Sequence, residues 1–315
     1  LQEFVKQIVS LRKVEPDAIQ EAIVAAEKEM MANGIVAVGD ISNTLDTLTQ
    51  KAKHNLAYYT FVELYDLDPT HANDKIIAGL AIQKAFEENC IRASLVPHAP
   101  YSVTNNLWKL LSAHFGSHTI SMHNQETADE NEFFKNKTGS FLGMYERTKV
   151  SLDYFHATGK TSLQSVLPKI NTAAHCILVH NSFTSVADIQ AVQQQMPNTS
   201  WCLCPNANQY IESAMPPIDL LRAQKVNIVV GTDSYASNWS LNILDELKTI
   251  QKHNPTIELA EMLGWATLNG ARALQMDKHL GSFEKGKKPG IVLISGVDAA
   301  GKLSSSSSSK QLIKN

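Results

Sequence analysis

The sequence has 315 residues, of which 43% are hydrophobic and 19% charged, and its formal net charge is −3. This is the composition of a globular protein with a large core, and the absence of a basic stripe argues against nucleic acid or an anionic membrane as a partner. The sequence contains neither an apolar run of about 18 residues nor a signal-peptide pattern, so we expect a cytoplasmic protein.

Short apolar runs alternate with amphipathic stretches along most of the chain. The predicted strands are 34–40, 60–65, 91–98, 119–126, 173–180, 199–205 and 226–233. The helices lie at 1–12, 17–33, 76–86, 107–114, in pieces within 129–169, then at 185–195, near Leu220, 241–250 and 257–274. This alternation favours right-handed βαβ units around a parallel sheet. Because no strand is followed by a Gly-rich phosphate loop, the pattern predicts a (β/α)8 TIM-type barrel rather than a dinucleotide-binding fold.

Polar side chains stand at the carboxyl ends of these strands: Asp40, Glu63, His98, His123 with Glu126, His180, Asn206 with Asn208, and Asp233. That end of a (β/α)8 barrel carries the active site. One strand-end histidine is more often structural than functional, but three histidines and an aspartate on separate strands favour a site. In a continuous strand, His123 and Glu126 would point to opposite faces. Their spacing therefore predicts that the strand breaks directly after His123.

The pattern changes after Leu274. Residues 280–295 indicate a turn-rich entry to a short strand, and the serine run 304–309 is typical of a flexible or edge segment. The predicted organisation is therefore a barrel over residues 1–279, in which seven strands can be read, and a smaller C-terminal part over residues 280–315.

Seven short motifs agree with one family in order and spacing. They are V-P-H-A-P-Y-S-V (96–103), M-H-N-Q-E (122–126), L-V-H-N (178–181), C-P-N-A-N (204–208), G-T-D-S (231–234), T-L-N-G-A-R-A-L (267–274) and L-G-S-F-E-K-G-K (280–287). With them the chain resembles the amidohydrolase superfamily, in the aminohydrolase branch of cytosine deaminase, S-adenosylhomocysteine deaminase and the triazine chlorohydrolases. The resemblance implies hydrolytic deamination of an amino-substituted heterocycle, a purine, a pyrimidine or a related ring, and it makes residues 280–315 part of a small β-sandwich domain.

The resemblance implies catalytic roles for four residues. His123 and Asp233 are similar to metal ligands, and Asp233 also takes a proton from the metal-activated water. Glu126 is similar to the acid/base that protonates the ring nitrogen, so we expect a neighbouring carboxylate or a dry pocket to raise its pKa. His180 is similar to the histidine beside the metal that polarises or positions the water, and we expect it to donate a hydrogen bond there.

The residues that would contact the substrate are fewer. His98 is similar to a histidine that contacts the substrate in nucleoside-deaminating members. Asn208 stands where the family has an asparagine and is assigned to shaping the pocket, although Ala207 replaces the family's serine. Trp239, like Tyr235, is placed to stack on a heterocycle, with loop packing as the alternative.

One departure concerns the metal, a single divalent ion that the resemblance implies to be zinc or iron. The family places two further histidine ligands in an H-x-H motif, and this sequence has none. Because strand 34–40 resembles the family's second strand, we expect the H-x-H upstream of Leu1 and weak metal binding by the chain as written. A barrel without that strand would expose two sheet edges. The alternative is an inactive relative.

Other functions remain open from the sequence. A dechlorinase or a cyclic amidohydrolase would keep the barrel and the metal, whereas the H-x-x-E spacing favours deamination because a ring nitrogen needs a proton donor. A metal-free aldolase would require a strand-end lysine, which no predicted strand offers. A small heterocyclic molecule is the implied partner, and a homo-oligomer is left open.

Overall fold

A computed structural model describes Leu1 and residues 15–314, so the helix predicted over 1–12 lies, except for Leu1, outside the described residues. The seven predicted strands are all present: β1 Ala37–Ser42, β2 Ala57–Leu64, β3 Arg92–Pro97, β4 Thr119–Asn124, β5 His175–His180, β6 Thr199–Leu203 and β7 Asn227–Val230. They form two sheets in sequential order, β1-β2-β3 and β4-β5-β6-β7, and every pairing within them is parallel.

Two hydrogen bonds join the sheets across the gap between β3 and β4. The His123 N–H donates to the carbonyl of His98 at 2.9 Å, and the Ser94 hydroxyl donates to the carbonyl of Thr119 at 2.7 Å. The seven strands therefore follow one another in chain order, as they do in a TIM-type barrel, and their carboxyl ends lie at one face.

Helices alternate with the strands, and five of the described helices begin at a side chain that accepts a backbone N–H. They are α1 Pro16–Ala32, α2 Leu48–Lys51, α3 Ala72–Glu88, α4 Asn105–Leu111, α5 Ala128–Asn136, α6 Phe141–Thr148, α7 Ser162–Ile170, α8 Val186–Gln195, α9 Pro205–Glu212, α10 Ile218–Ala223, α11 Ile243–His253, α12 Leu259–Gly264 and α13 Gly270–Ala273, with a π-helical turn at Trp265–Asn269. The capping side chains belong to Thr104, Thr127, Thr161, Ser185 and Asn242. None of the described helices is both long and apolar enough to cross a bilayer.

Helix α9 was not predicted. The C-P-N-A-N motif was assigned to the end of a strand, whereas β6 stops at Leu203 and Pro205 is the first residue of α9. Proline suits that position because its missing N–H would have no partner in the first turn of a helix. Asn206 and Asn208 therefore lie on the first turn of a helix and not on a strand end.

Trp201 on β6 is among the largest fully buried side chains, together with Phe86, Phe115, Phe133 and Phe141. We expect Trp201→Ala to lower the free energy of unfolding by about 3–5 kcal/mol, because the truncation removes apolar burial and leaves a cavity. Urea denaturation measures the loss. Trp239→Ala is the control, since that side chain is 63% exposed and its removal should change stability by less than about 0.5 kcal/mol. Equal losses in the two variants would contradict the prediction.

The C-terminal part contains one antiparallel pair, β8 Ile291–Ser295 with β9 Ser308–Ile313. The serine run divides there, because residues 308 and 309 belong to β9 and residues 304–307 form the turn before it. Two hydrogen bonds between the Gln251 side chain and the backbone of Leu303 attach this part to α11.

Candidate active site

Four side chains converge at the carboxyl ends of β2 to β5. The ring centroids of His98 and His123 are 4.8 Å apart, and those of His123 and His180 are 5.4 Å apart with planes inclined by 26°. Donor atoms of Glu63, His98 and His123 all lie within 4.8 Å of one another, so this group can hold a metal ion. The structure thus brings together the three strand-end histidines that the sequence singled out.

The orientation of His123 suits a metal ligand. Its Nδ1 lies 2.9 Å from the carbonyl oxygen of His98, and since a carbonyl only accepts, Nδ1 carries the proton. The lone pair of Nε2 is then available to a metal, which is the usual arrangement of a ligating histidine.

Glu63 supplies an unsatisfied oxygen beside this ring. Its Oε1 is 3.4 Å from His123 Nδ1 and is buried without a hydrogen-bond partner, whereas its Oε2 accepts from Asn43 at 3.2 Å. A buried polar atom without a partner is rare in folded proteins and marks a place where a donor or a cation is needed. The sequence identified Glu63 only as a strand-end residue, because its approach to His123 depends on strands distant in the chain.

The backbone turns where the H-x-x-E spacing requires it, one residue later than predicted. Strand β4 ends at Asn124, and Gln125 adopts a left-handed conformation with φ of 47°. After this turn the buried Glu126 places Oε1 3.6 Å from Nε2 of His180. His123 and Glu126 therefore both face His180.

Burial sets the protonation of this pair. It raises the pKa of Glu126 to about 7, with a further rise from the charge of Asp233 and an opposing effect of His123. The raised pKa expected for the acid/base is thus found, and burial is its main cause. Burial also lowers the pKa of His180, which keeps that imidazole neutral at neutral pH.

Asn208 determines which nitrogen of His180 carries the proton. The Asn208 Nδ2 donates to the hydroxyl of Ser182 at 2.8 Å, so its Oδ1 faces His180 Nδ1, also at 2.8 Å. An amide oxygen only accepts, so His180 Nδ1 is the donor and Nε2, on the side of Glu126, has a free lone pair. Asn208 thus contacts a residue of the site directly, from the helix that the sequence did not predict.

His98 lies on the other side of His123. Its Nδ1 is 2.6 Å from the hydroxyl of Ser102, and its ring packs edge-on against Tyr101 at 5.9 Å and Tyr65 at 6.1 Å. Burial lowers the pKa of His98 to about 4, so the ring is neutral. A neutral imidazole between aromatic rings is suited to hydrogen bonding and stacking with a heterocycle.

Asp233 follows β7 and is exposed, outside the group formed by Glu63, His98 and His123. Its carboxylate accepts from the Ser234 N–H and from the Ser237 hydroxyl, each at 2.7 Å. Its charge nevertheless raises the pKa of Glu126 and favours the protonated form of His180.

The remaining candidate residues from the sequence lie around the carboxyl ends of the strands, outside the histidine group. Trp239 is 63% exposed, and the Tyr235 hydroxyl is bonded to Glu29 of α1. Asp40, the first of the strand-end residues, forms an ion pair with the buried Lys51 of α2.

Left-handed backbone conformations recur at this face. Four residues other than glycine have positive φ values here: Gln125 at 47°, His180 at 75°, Asn181 at 62° and Asp233 at 58°. Such conformations are uncommon for residues with a Cβ and concentrate at functional sites. The surrounding hydrogen bonds are what hold them.

Comparison with known proteins identifies the family of this chain. The model of the Amidohydrolase family matches residues 1–314. The chain belongs to the amidohydrolase family. This confirms the resemblance drawn from the motifs, and the parallel α/β architecture agrees with the family's TIM-type barrel.

Two curated relatives of this amidohydrolase are deaminases. An adenosine deaminase of Helicobacter pylori is 29% identical over 279 residues, which cover 85% of this chain and 66% of the relative. A 5'-deoxyadenosine deaminase of Methanocaldococcus jannaschii is 31% identical over 288 residues, covering 84% of this chain and 61% of the relative. The chain spans less than two thirds of the length of such relatives.

Solved structures agree in fold. The aminofutalosine deaminase of Helicobacter pylori superposes with a TM-score of 0.76 at 26% identity. The match covers 86% of this chain and 68% of the deaminase. An atrazine chlorohydrolase of Arthrobacter aurescens superposes with a TM-score of 0.73 at 16% identity. The match covers 96% of this chain and 71% of the chlorohydrolase chain. At 16% identity, the second likeness concerns the fold alone.

Proposed function

We propose that this amidohydrolase is a metal-dependent deaminase that replaces the exocyclic amino group of an adenosine-like nucleoside with oxygen and releases ammonia. The observation that carries the proposal is Glu126, a buried carboxyl group with a pKa of about 7 that faces His180. The names of the curated relatives support the substrate class, because adenosine, 5'-methylthioadenosine, S-adenosylhomocysteine and 5'-deoxyadenosine all carry the same aminopurine.

The residues present fit a divalent metal. His123 offers the free Nε2, and donor atoms of Glu63, His98 and His123 lie within 4.8 Å of one another, which gives the nitrogen and oxygen donors that zinc binds. His123 and Asp233 would hold the ion, as the family resemblance implies, with zinc preferred and iron the alternative. The family resemblance implies two further histidine ligands in an H-x-H motif, which this sequence does not contain.

When bound, the metal lowers the pKa of a water molecule to about 7 and so provides hydroxide at neutral pH. Residues of this chain donate and accept the protons of the reaction. The protonated Glu126 donates to the ring nitrogen beside the carbon that carries the amino group, which draws charge away from that carbon. Asp233 accepts the proton that the nucleophile loses and passes it to the amino group, which leaves as ammonia when the C–N bond breaks. The substrate amine and water thereby yield a carbonyl compound and ammonia.

His180 orients the nucleophile. Because its Nδ1–H is bound to Asn208, the free lone pair of Nε2 accepts a hydrogen bond. This acceptor role differs from the donor role expected from the sequence. His98, which is neutral between Tyr65 and Tyr101, and the exposed Trp239 would contact the base.

The proposal extends to the domain arrangement. Residues 1–279 form the hydrolase barrel, and residues 280–315 contribute the C-terminal part of a small β-sandwich domain. The pair β8–β9, which is antiparallel and attached to α11 through Gln251, supports this division.

Ammonia release tests the activity. We expect the full-length protein, loaded with zinc, to release ammonia from adenosine, 5'-deoxyadenosine or 5'-methylthioadenosine in preference to aminopyrimidines and aminotriazines. Chloride release from a chlorotriazine without ammonia release from any nucleoside would instead make the protein a dechlorinase. No product from any of these compounds would favour the inactive relative.

The pH profile follows from the pKa of Glu126. Only the protonated carboxyl group can donate, and its population falls as pH rises through about 7. We therefore expect the acid-dependent limb of kcat/KM to decline about tenfold per pH unit above that value. Steady-state rates between pH 5 and 9 measure it. A profile that stays flat up to pH 9 would contradict the assignment of Glu126 as the proton donor.

A further inference from the structure

One buried carboxyl group connects two segments that are separate in the chain and lie at the carboxyl ends of the strands. Glu246 of α11 is fully buried. Its Oε2 accepts the backbone N–H of Asn206 at 3.0 Å, and its Oε1 accepts from Asn238 Nδ2 at 2.6 Å. Asn206 belongs to the first turn of α9, and Asn238 lies in the loop that follows β7.

The first of these contacts fixes the start of α9. The Thr249 hydroxyl, also on α11, donates to the side-chain oxygen of Asn206 at 2.5 Å, so α11 contacts this turn twice. Two residues later, Asn208 holds His180 Nδ1. A displacement of this turn would therefore displace the group that sets the tautomer of His180.

The second contact closes the loop that carries Asp233. Asn238 Nδ2 also donates to the carbonyl of Thr232 at 2.7 Å, and Asn238 Oδ1 accepts the Trp239 N–H at 2.8 Å. Asp233 sits inside this closed loop in a left-handed conformation, with its carboxylate bonded to Ser237. Without Glu246, one of the bonds that hold Asn238 in place would be lost.

The electrostatics agree with this arrangement. Burial raises the pKa of Glu246 to about 8, and the donors of Asn206 and Asn238 oppose that rise. A carboxyl group in such a dry place is held by the groups that it bonds, since an unpaired oxygen there would be strongly unfavourable.

We propose that Glu246 is a positioning residue, which sets the position of Asp233 and the tautomer of His180 together by bonding Asn238 on one side and Asn206 on the other. This inference rests on the proposed function for its kinetic consequence, but its structural content does not. Glu246 bonds Asn206 and Asn238, neither of which is proposed to hold the metal or contact the substrate, so we expect it to act through these two segments.

Glu246→Gln tests the proposal. An amide group keeps the size of the side chain but replaces one acceptor oxygen with a donor, which then faces either the Asn206 N–H or the Asn238 amide. We expect kcat to fall about tenfold to a hundredfold, because small displacements of catalytic groups have effects of that size, while KM changes by less than about threefold, since this residue does not touch the substrate.

Nuclear magnetic resonance provides the readout that needs no activity. In protein labelled with ¹⁵N, we expect Glu246→Gln to shift the imidazole nitrogen signals of His180, the backbone amide signal of Asn206 and the side-chain amide signal of Asn238. Changed His180 ring signals distinguish positioning from a loss of stability alone, because global destabilisation leaves the signals of the folded state in place.

Glu27→Gln is the matched control. Glu27 is also buried and also accepts from several side chains, including Asn55 and Tyr58 at 2.9 Å each, but it joins α1 to β2 and the segment before it. We expect this variant to lose stability while kcat and the His180 ring signals stay as in the wild type. Unchanged ring signals in Glu246→Gln, or equal ring shifts in both variants, would overturn the proposal. If the wild type releases no ammonia, the proposed function is wrong, and the ring signals still decide the positioning.

Discussion

Glu126→Gln should lower kcat by about 10³-fold and leave the metal content unchanged, since general acid catalysis typically contributes 10² to 10⁴. Glutamine keeps the shape of the side chain and fits the same buried position, yet an amide cannot deliver a proton at neutral pH. Ammonia release measures the rate, and elemental analysis of the purified protein measures the metal.

Glu130→Gln is the matched control for this variant. Burial raises the pKa of Glu130 to about 7 as well, but its Oε1 accepts the Gln125 N–H and does not face His180. A glutamine carbonyl can still accept that bond, so kcat should stay within about tenfold of the wild type. A Glu126→Gln variant that retains a near wild-type rate, or a Glu130→Gln variant that loses as much, would remove Glu126 from the proton-donor role.

His123→Ala should lower metal affinity in the full-length protein by at least about tenfold to a hundredfold and should remove turnover. The imidazole offers Nε2 to the ion, and alanine offers no donor atom. Asp233→Asn should likewise reduce bound metal, because a neutral amide replaces a carboxylate. Metal content after dialysis and ammonia release are the two measurements.

His118→Ala provides the comparison for a histidine of the same chain segment. His118 precedes β4 and does not belong to the donor group of Glu63, His98 and His123. We expect unchanged metal content and rate in this variant. Stoichiometric metal in His123→Ala would exclude His123 as a ligand.

Local patterns were sufficient to predict the strand ends. Apolar runs placed the seven strands, and the polar residues that close them include His98, His123 and His180, which the structure brings together. The turn after β4 also followed from local reasoning, since the spacing of His123 and Glu126 demanded it. Each of these inferences needs only the alternation of faces along one strand.

What could not be predicted depends on contacts between distant segments. The hydrogen bond from His180 to Asn208 joins residues 28 apart in the chain, and the contact of Glu246 with Asn206 spans 40. Helix α9 was missed because its short first turn carries Pro205 and two asparagines, residues that a propensity argument places in turns. The contact of the Glu63 carboxylate with His123 was missed because it also joins distant segments: β2 and β4 are separated by a strand and two helices.

The positive φ values at the carboxyl ends of the strands have a consequence for laboratory evolution of this protein. Each left-handed residue other than glycine carries roughly 1–2 kcal/mol of conformational energy, and His180 and Asp233 are both of this kind. His180 is buried and bonded to Asn208, so glycine there would leave a cavity and an unpaired amide. At the exposed Asp233, glycine would relieve that energy and remove the functional group in one step. Libraries screened for heat resistance alone should therefore accumulate glycine at position 233, so heat-resistant isolates would be recovered without turnover unless each round also selects for it.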